Sequence, residues 1–228
     1  MVRAFVLAAL VVTSTGCGLI SSDVGDFDLT LPEKKFTVDT AQWMLTTDST
    51  FPTVPCAGME SVCSAAVMEA CGDEACFGSC DGTNCKAVVV VGLWTGVNLL
   101  DEKPELQTIN DQPLIDVTID DITYDVTENT LNVDTPEMTL YVAPISAMDP
   151  GNPSARPVGT IAPVPAGAEV SGQVNLTPQG RADLREFMND FRTPFNIIVG
   201  TEVEINAGDP VPDGKLTAVV NVSAHAGL

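Results

Sequence analysis

The sequence predicts a mostly β protein: an antiparallel β-sandwich with one helix in its C-terminal half, over about 178–191, and a disulfide-rich, partly helical insertion. Three observations carry this. From Lys86 onward apolar residues recur with a period of two, with turn signals between the runs. One stretch after Leu176 switches to helical spacing. Six of the seven cysteines crowd between Cys56 and Cys85, a density that marks a crosslinked scaffold.

The chain opens with a leader. Arg3 is positive, residues 4–12 are nine apolar residues in a row, and Thr13 to Gly16 are small, the order of a secretory signal over 1–16. Nine residues are about half of the ~20 that span a bilayer as a helix. Gly16-Cys17 then resembles the lipobox of bacterial lipoproteins, in which the cysteine is acylated and the chain is cut before it. Ser14 and Gly16 also suit an ordinary signal peptidase, which would leave Cys17 a free thiol. Parity favours the lipid: seven cysteines are an odd set for an oxidising compartment, and assigning Cys17 leaves six. Several acyl chains make attachment effectively permanent. Gly18 after the cysteine, where Asp would signal retention, implies the outer membrane; otherwise the protein is periplasmic or secreted. Residues 17–27 read as anchor and tether, and 28–228 as one sandwich domain.

Within that domain, "FDLTLPEKKFTVD" (27–39) offers one or two strands. The insertion follows at 56–85. Cys56, Cys63, Cys71, Cys76, Cys80 and Cys85 contain no C-x2-C pair, which zinc and iron–sulfur sites favour. Three disulfides fit the export signal, and fifteen pairings are open. Met59, Val62, Cys63, Ala66, Val67 and Ala70 recur at helical spacing, so Cys63 and Cys71 project to one side of a helix. The segment reads as a stapled excursion between two strands, held by crosslinks because it has few large apolar residues.

"KAVVVVGLW" (86–94) reads as a strand buried on both faces. In "LIDVTID" and "ITYDV" the alternation slips at Asp120-Asp121, which requires a bulge or a tight turn. "MTLYVAP" (138–144), "EVSGQVNL" (169–176), "FNIIVG" (195–200), "EVEI" (202–205) and "KLTAVVNV" (215–222) supply further strands, and 212–214 is a Pro-Asp-Gly turn. In the helix, Thr177 is the cap and Pro178 the first residue. Leu184, Phe187, Met188 and Phe191 form one apolar stripe, and Pro194 is the stop. Such a helix plugs one end of a sandwich.

The pieces "IDDITYDVTENTLNVDTPEMTLYVAP" and "GTIAPVPAGAEVSGQVNL", with the late helix, resemble the late-embryogenesis-abundant (WHy-type) β-sandwich across 114–222. The resemblance implies architecture. It brings no catalytic residues.

Charge narrows the partners. With 10 basic and 31 acidic residues the chain carries a net charge of −21, which argues against nucleic acid, whose phosphates need Lys and Arg. Protein or glycan partners, and the membrane through the anchor, remain. No P-loop, G-x-S-x-G elbow or dinucleotide fingerprint occurs. The one histidine, His225, sits where a tail is more often disordered than catalytic. Between Lys103 and Arg156 ten acids stand without a base. Of these, Asp120, Asp121 and Asp125 at the slipped register are the candidate Ca²⁺ ligands, against a solvated acidic face, which is the favoured alternative. The expectation is therefore a non-enzymatic, lipid-anchored envelope protein of binding or structural role without a required cofactor. Its rivals are a secreted hydrolase using paired carboxylates and a Ca²⁺-stabilised adhesion or assembly subunit.

Overall fold

The computed structural model describes residues 27–43, 45, 50–70, 76–109 and 116–227. The leader over 1–16, Cys17, the tether up to residue 26 and Cys71 lie outside the described residues. Among those described, the strands form two antiparallel sheets. The first joins β1 (Phe27–Asp28) and β2 (Lys34–Asp39) to one edge of β11 (Lys215–Gly227), whose other edge pairs β5 (Asp116–Asn129), followed by β8 (Ser171–Gln173). The second runs β3 (Cys76–Cys80), β4 (Cys85–Val97), β10 (Phe195–Ile205), β6 (Met138–Pro144), β7 (Arg156–Ile161), β9 (Asn175–Leu176). The inward residues of both sheets meet in one main core, including Ile122, Val126, Leu140, Val142, Ile197, Val220 and Val222.

The slip at Asp120-Asp121 is a bulge. β5 continues through it as one strand, and the pairing with β11 steps from Asp121↔Ser223 to Ile119↔Ala224. Asp120 is the extra residue, which returns Ile119 and Ile122 to the same buried face. The runs at 195–200 and 202–205 are likewise one strand, β10. The run at 169–176 is two strands, in different sheets. β8 pairs β5, β9 pairs β7, and the chain crosses between the sheets at buried Val174. β7 has no alternation to announce it. It is a strand because Gly159 lets Asn175 approach: a Cβ there would stand 2.6 Å from the Asn175 carbonyl oxygen.

Two further expectations are corrected. β4 is covered on both faces only at its start, where Ala87, Val88 and Val89 are buried; from Gly92 onward its outward residues are open, and Trp94 is 47% exposed. Pro150 is seated where Gly92 faces Gly200, since a Cβ on either glycine would come within 3 Å of its ring. His225 is no loose tail: β11 runs on to Gly227, and His225 is paired opposite Thr118.

The helix α2 (Pro178–Asn189) ends two residues before the expected limit. Thr177 caps it, its hydroxyl accepting from the Gly180 amide at 2.8 Å. Leu184, Met188 and Phe191 are buried in the main core, and the helix packs on β5 of one sheet and on β7 and β6 of the other. It closes that end of the sandwich. The insertion contains α1 (Glu60–Ala70), as its spacing predicts. It is more than an excursion, because β3 extends the second sheet and α1 covers that extension. Val67 joins Ala87 and Val89 in a second core, and α1 lies so close on Gly78 that a Cβ there would meet the Cys63 carbonyl.

Candidate functional site

The two cores do not merge completely. Leu93 touches both, and beside it a cavity of about 70 Å³ remains between the sheets. Val38 from β2, Leu93 from β4, Met138 from β6, Val203 from β10 and Ala218 from β11 line it; each packs on a core yet is only half-buried. Trp43 and Tyr124 add aromatic wall. On the scale where an apolar cavity of about 150 Å³ holds benzene, this one has room for about three carbons, and apolar walls of this kind stay dry until an apolar guest enters.

The mouth lies at the end of the sandwich built by the connections 130–137 and 206–214. These are held by hydrogen bonds. The Asn132 side chain donates to the Val211 carbonyl at 3.0 Å and accepts from the Asp213 amide at 2.8 Å. Thr135 Oγ1 accepts from the Val164 amide at 2.8 Å, and Asp134 Oδ1 accepts from the Ala166 amide at 2.8 Å. Thr201 Oγ1 donates to the Glu137 carbonyl at 2.8 Å. Buried Asn129 pins the neighbouring turn, donating to the carbonyls of Pro165 and Ala168 at 3.0 Å each while accepting from the Leu131 amide at 3.1 Å. The mouth is therefore preformed.

Outside it runs a groove of about 570 Å³ that shares Val133, Asp134, Thr135, Pro136, Val203 and Pro212 with the cavity. Glu202, Glu204 and Asp209 complete an acidic rim with Asp134. Lys86 is the neighbouring base, 2.6 Å from Glu204. No described residue lining the cavity or the groove is basic. β6 pairs β10 only as far as Gly200, so the rim carboxylates stand where the sheet narrows.

The other candidates fall elsewhere. Asp120, Asp121 and Asp125 are not brought together. Asp121 and Asp125 are four strand residues apart, about 13 Å, and Asp120 reaches His225 Nδ1 at 3.0 Å instead. The carbonyls that the bulge frees at Ile119 and Asp120 accept from the Arg181 guanidinium. Among the described residues, the one group of three or more metal-ligand side chains with donor atoms within 4.8 Å is Cys56, Cys63 and Cys80. All three are in crosslinks: Cys56–Cys80 and Cys63–Cys85. Cys76 is disulfide-bonded as well. Asp183 is the buried acid among the described residues, and Arg156 pairs with it at 3.3 Å. No described helix is long and apolar enough to cross a membrane.

Sequence reading missed the cavity residues. The alternation of Glu202, Val203 and Glu204, with carboxylates outward and valine inward, was the available signal; Trp43 and Ala218 carried none. No protein family matches the chain, and no curated protein matches it either.

Proposed function

We propose that this is an exported, lipid-anchored envelope protein, held at the outer membrane through Cys17, that acts by binding and not by catalysis. The observation that carries the binding role is the preformed apolar cavity opening into an acidic groove. The address is supported by the leader and by the paired cysteines, since such crosslinks persist in oxidising compartments. Mass spectrometry of protein purified from membranes in mild detergent tests both parts. The denatured mass is expected to show cleavage before Cys17, acyl chains on it, and the loss of two hydrogens for each crosslink. The native mass is expected to show a small apolar molecule carried along. A cytosolic chain with its leader intact and its thiols reduced refutes the address. A ligand-free native mass, with no small molecule able to change Trp43 fluorescence, refutes the binding role.

A further inference from the structure

We propose that the cavity takes the hydrocarbon arm of a single-chain amphiphile whose cationic head sits on the acidic rim; this rests on reading the sandwich as a binding module. The walls have the chemistry of a hydrocarbon site: Val38, Leu93, Met138, Val203 and Ala218 leave apolar surface facing a hollow. An entering methylene loses water on one side and gains close packing on the other. The hollow is narrow, with room for about three methylene-sized groups on the scale where about 150 Å³ holds benzene, so one chain enters and a fused ring system does not.

The head is selected by charge. Asp134, Glu202, Glu204 and Asp209 line the groove that shares a wall with the cavity, and Lys86 pairs with Glu204 among them. A carboxylate head, as on a fatty acid, would stand in this negative field inside a protein whose net charge is −21. An ammonium head is attracted to it.

Decylamine, decanol and decanoate below their aggregation concentrations are the probes, titrated into the soluble domain by calorimetry and by fluorescence. The chain has two tryptophans, and Trp94→Phe removes the exposed one so that Trp43 in the cavity wall reports. Saturable binding of decylamine with a Trp43 response is expected, weakening with salt, with decanoate at least tenfold weaker. Along an alkylamine series, affinity is expected to rise about fourfold per methylene and to level off once about three groups are housed. Ala218→Leu and, independently, Val203→Phe should each weaken decylamine at least tenfold. Glu202→Gln should weaken decylamine and leave decanol unchanged. No saturable response, equal binding of decanoate, or full binding by both filled variants overturns the inference. If decylamine fails while membrane-purified protein still carries an apolar molecule, the cationic amphiphile falls and the binding role stands.

Discussion

Removing the Cys63–Cys85 crosslink by the double substitution Cys63→Ala/Cys85→Ala probes how far the insertion belongs to the sandwich. The double variant is required because the Cys63 sulfur lies within 4.8 Å of those of Cys56 and Cys80, and a lone thiol there would exchange. The bond joins residues 22 apart. Closing a loop of that length in the unfolded chain costs about 11 cal/mol/K of entropy, or about 3.4 kcal/mol at 25 °C. Both half-cystines are buried, so the lost sulfurs also leave a small void. A total loss of about 3–5 kcal/mol is expected. For a domain of this size that is a fall in Tm of roughly 6–20 °C. Urea unfolding followed by circular dichroism reads it as a lower midpoint. The structure requires the loss to be global, because Val67 of α1 shares a core with Ala87 and Val89 of β4. An unchanged midpoint, with proteolysis confined to the insertion, would refute that coupling.

Two other predictions rest on single side chains. Asn129 is only 8% exposed and makes three hydrogen bonds; Asn129→Asp keeps the acceptor for Leu131 but removes both donated bonds, leaving two buried carbonyls facing a carboxylate. A loss of roughly 2–6 kcal/mol at neutral pH is expected, shrinking at acidic pH where the introduced carboxyl regains a donor; a pH-independent loss under 1 kcal/mol in thermal unfolding counts against it. The Asp81 carboxylate accepts from the amides of Asn84 at 2.7 Å and Thr83 at 2.8 Å, and these bonds hold its pKa below the ordinary 3.8. A depressed carboxyl stabilises the fold above the unfolded value, and that contribution disappears as pH falls through the native one. The Asp81 carboxyl carbon should therefore titrate below 3.8 by NMR; a midpoint at or above that value removes the effect.

Period-two alternation is local, so the slip in β5 could be read from Ile119 and Ile122 alone, and the cap at Thr177 from its own dipeptide. The division of 169–176 between two sheets could not. "EVSGQVNL" alternates without a break, and only the partners of Gly172 and Leu176, Tyr124 and Gly159, place its halves in different layers. β7 stayed hidden because Pro157 and Gly159 depress strand propensity, and the close approach that makes glycine fit there involves Asn175. His225 was misjudged from its nearness to the chain end, a weaker force than pairing along a 13-residue strand. The acids of β5 were grouped by sequence distance, although extended backbone carries Asp121 and Asp125 apart. The cavity was least legible of all. Inward-facing residues can be named from alternation, but which of them fail to meet depends on how the two sheets are spaced.

The second sheet reaches past the first because β3 adds to β4, and α1 covers the overhang in place of a strand. A seam stays open beside Leu93, where the two cores meet. An unfilled hollow of about 70 Å³ costs about 2 kcal/mol at ~24 cal/mol per Å³. Filling the void should add stability whether it is kept for binding or left by imperfect packing, and ligand binding tells the two apart. Ala218→Leu adds three carbons facing the hollow; if the space serves a ligand, stability rises by up to about 2 kcal/mol while decylamine binding is lost. A variant that gains stability and still binds decylamine as tightly as the native chain would show that the seam is a packing defect and that the ligand sits elsewhere.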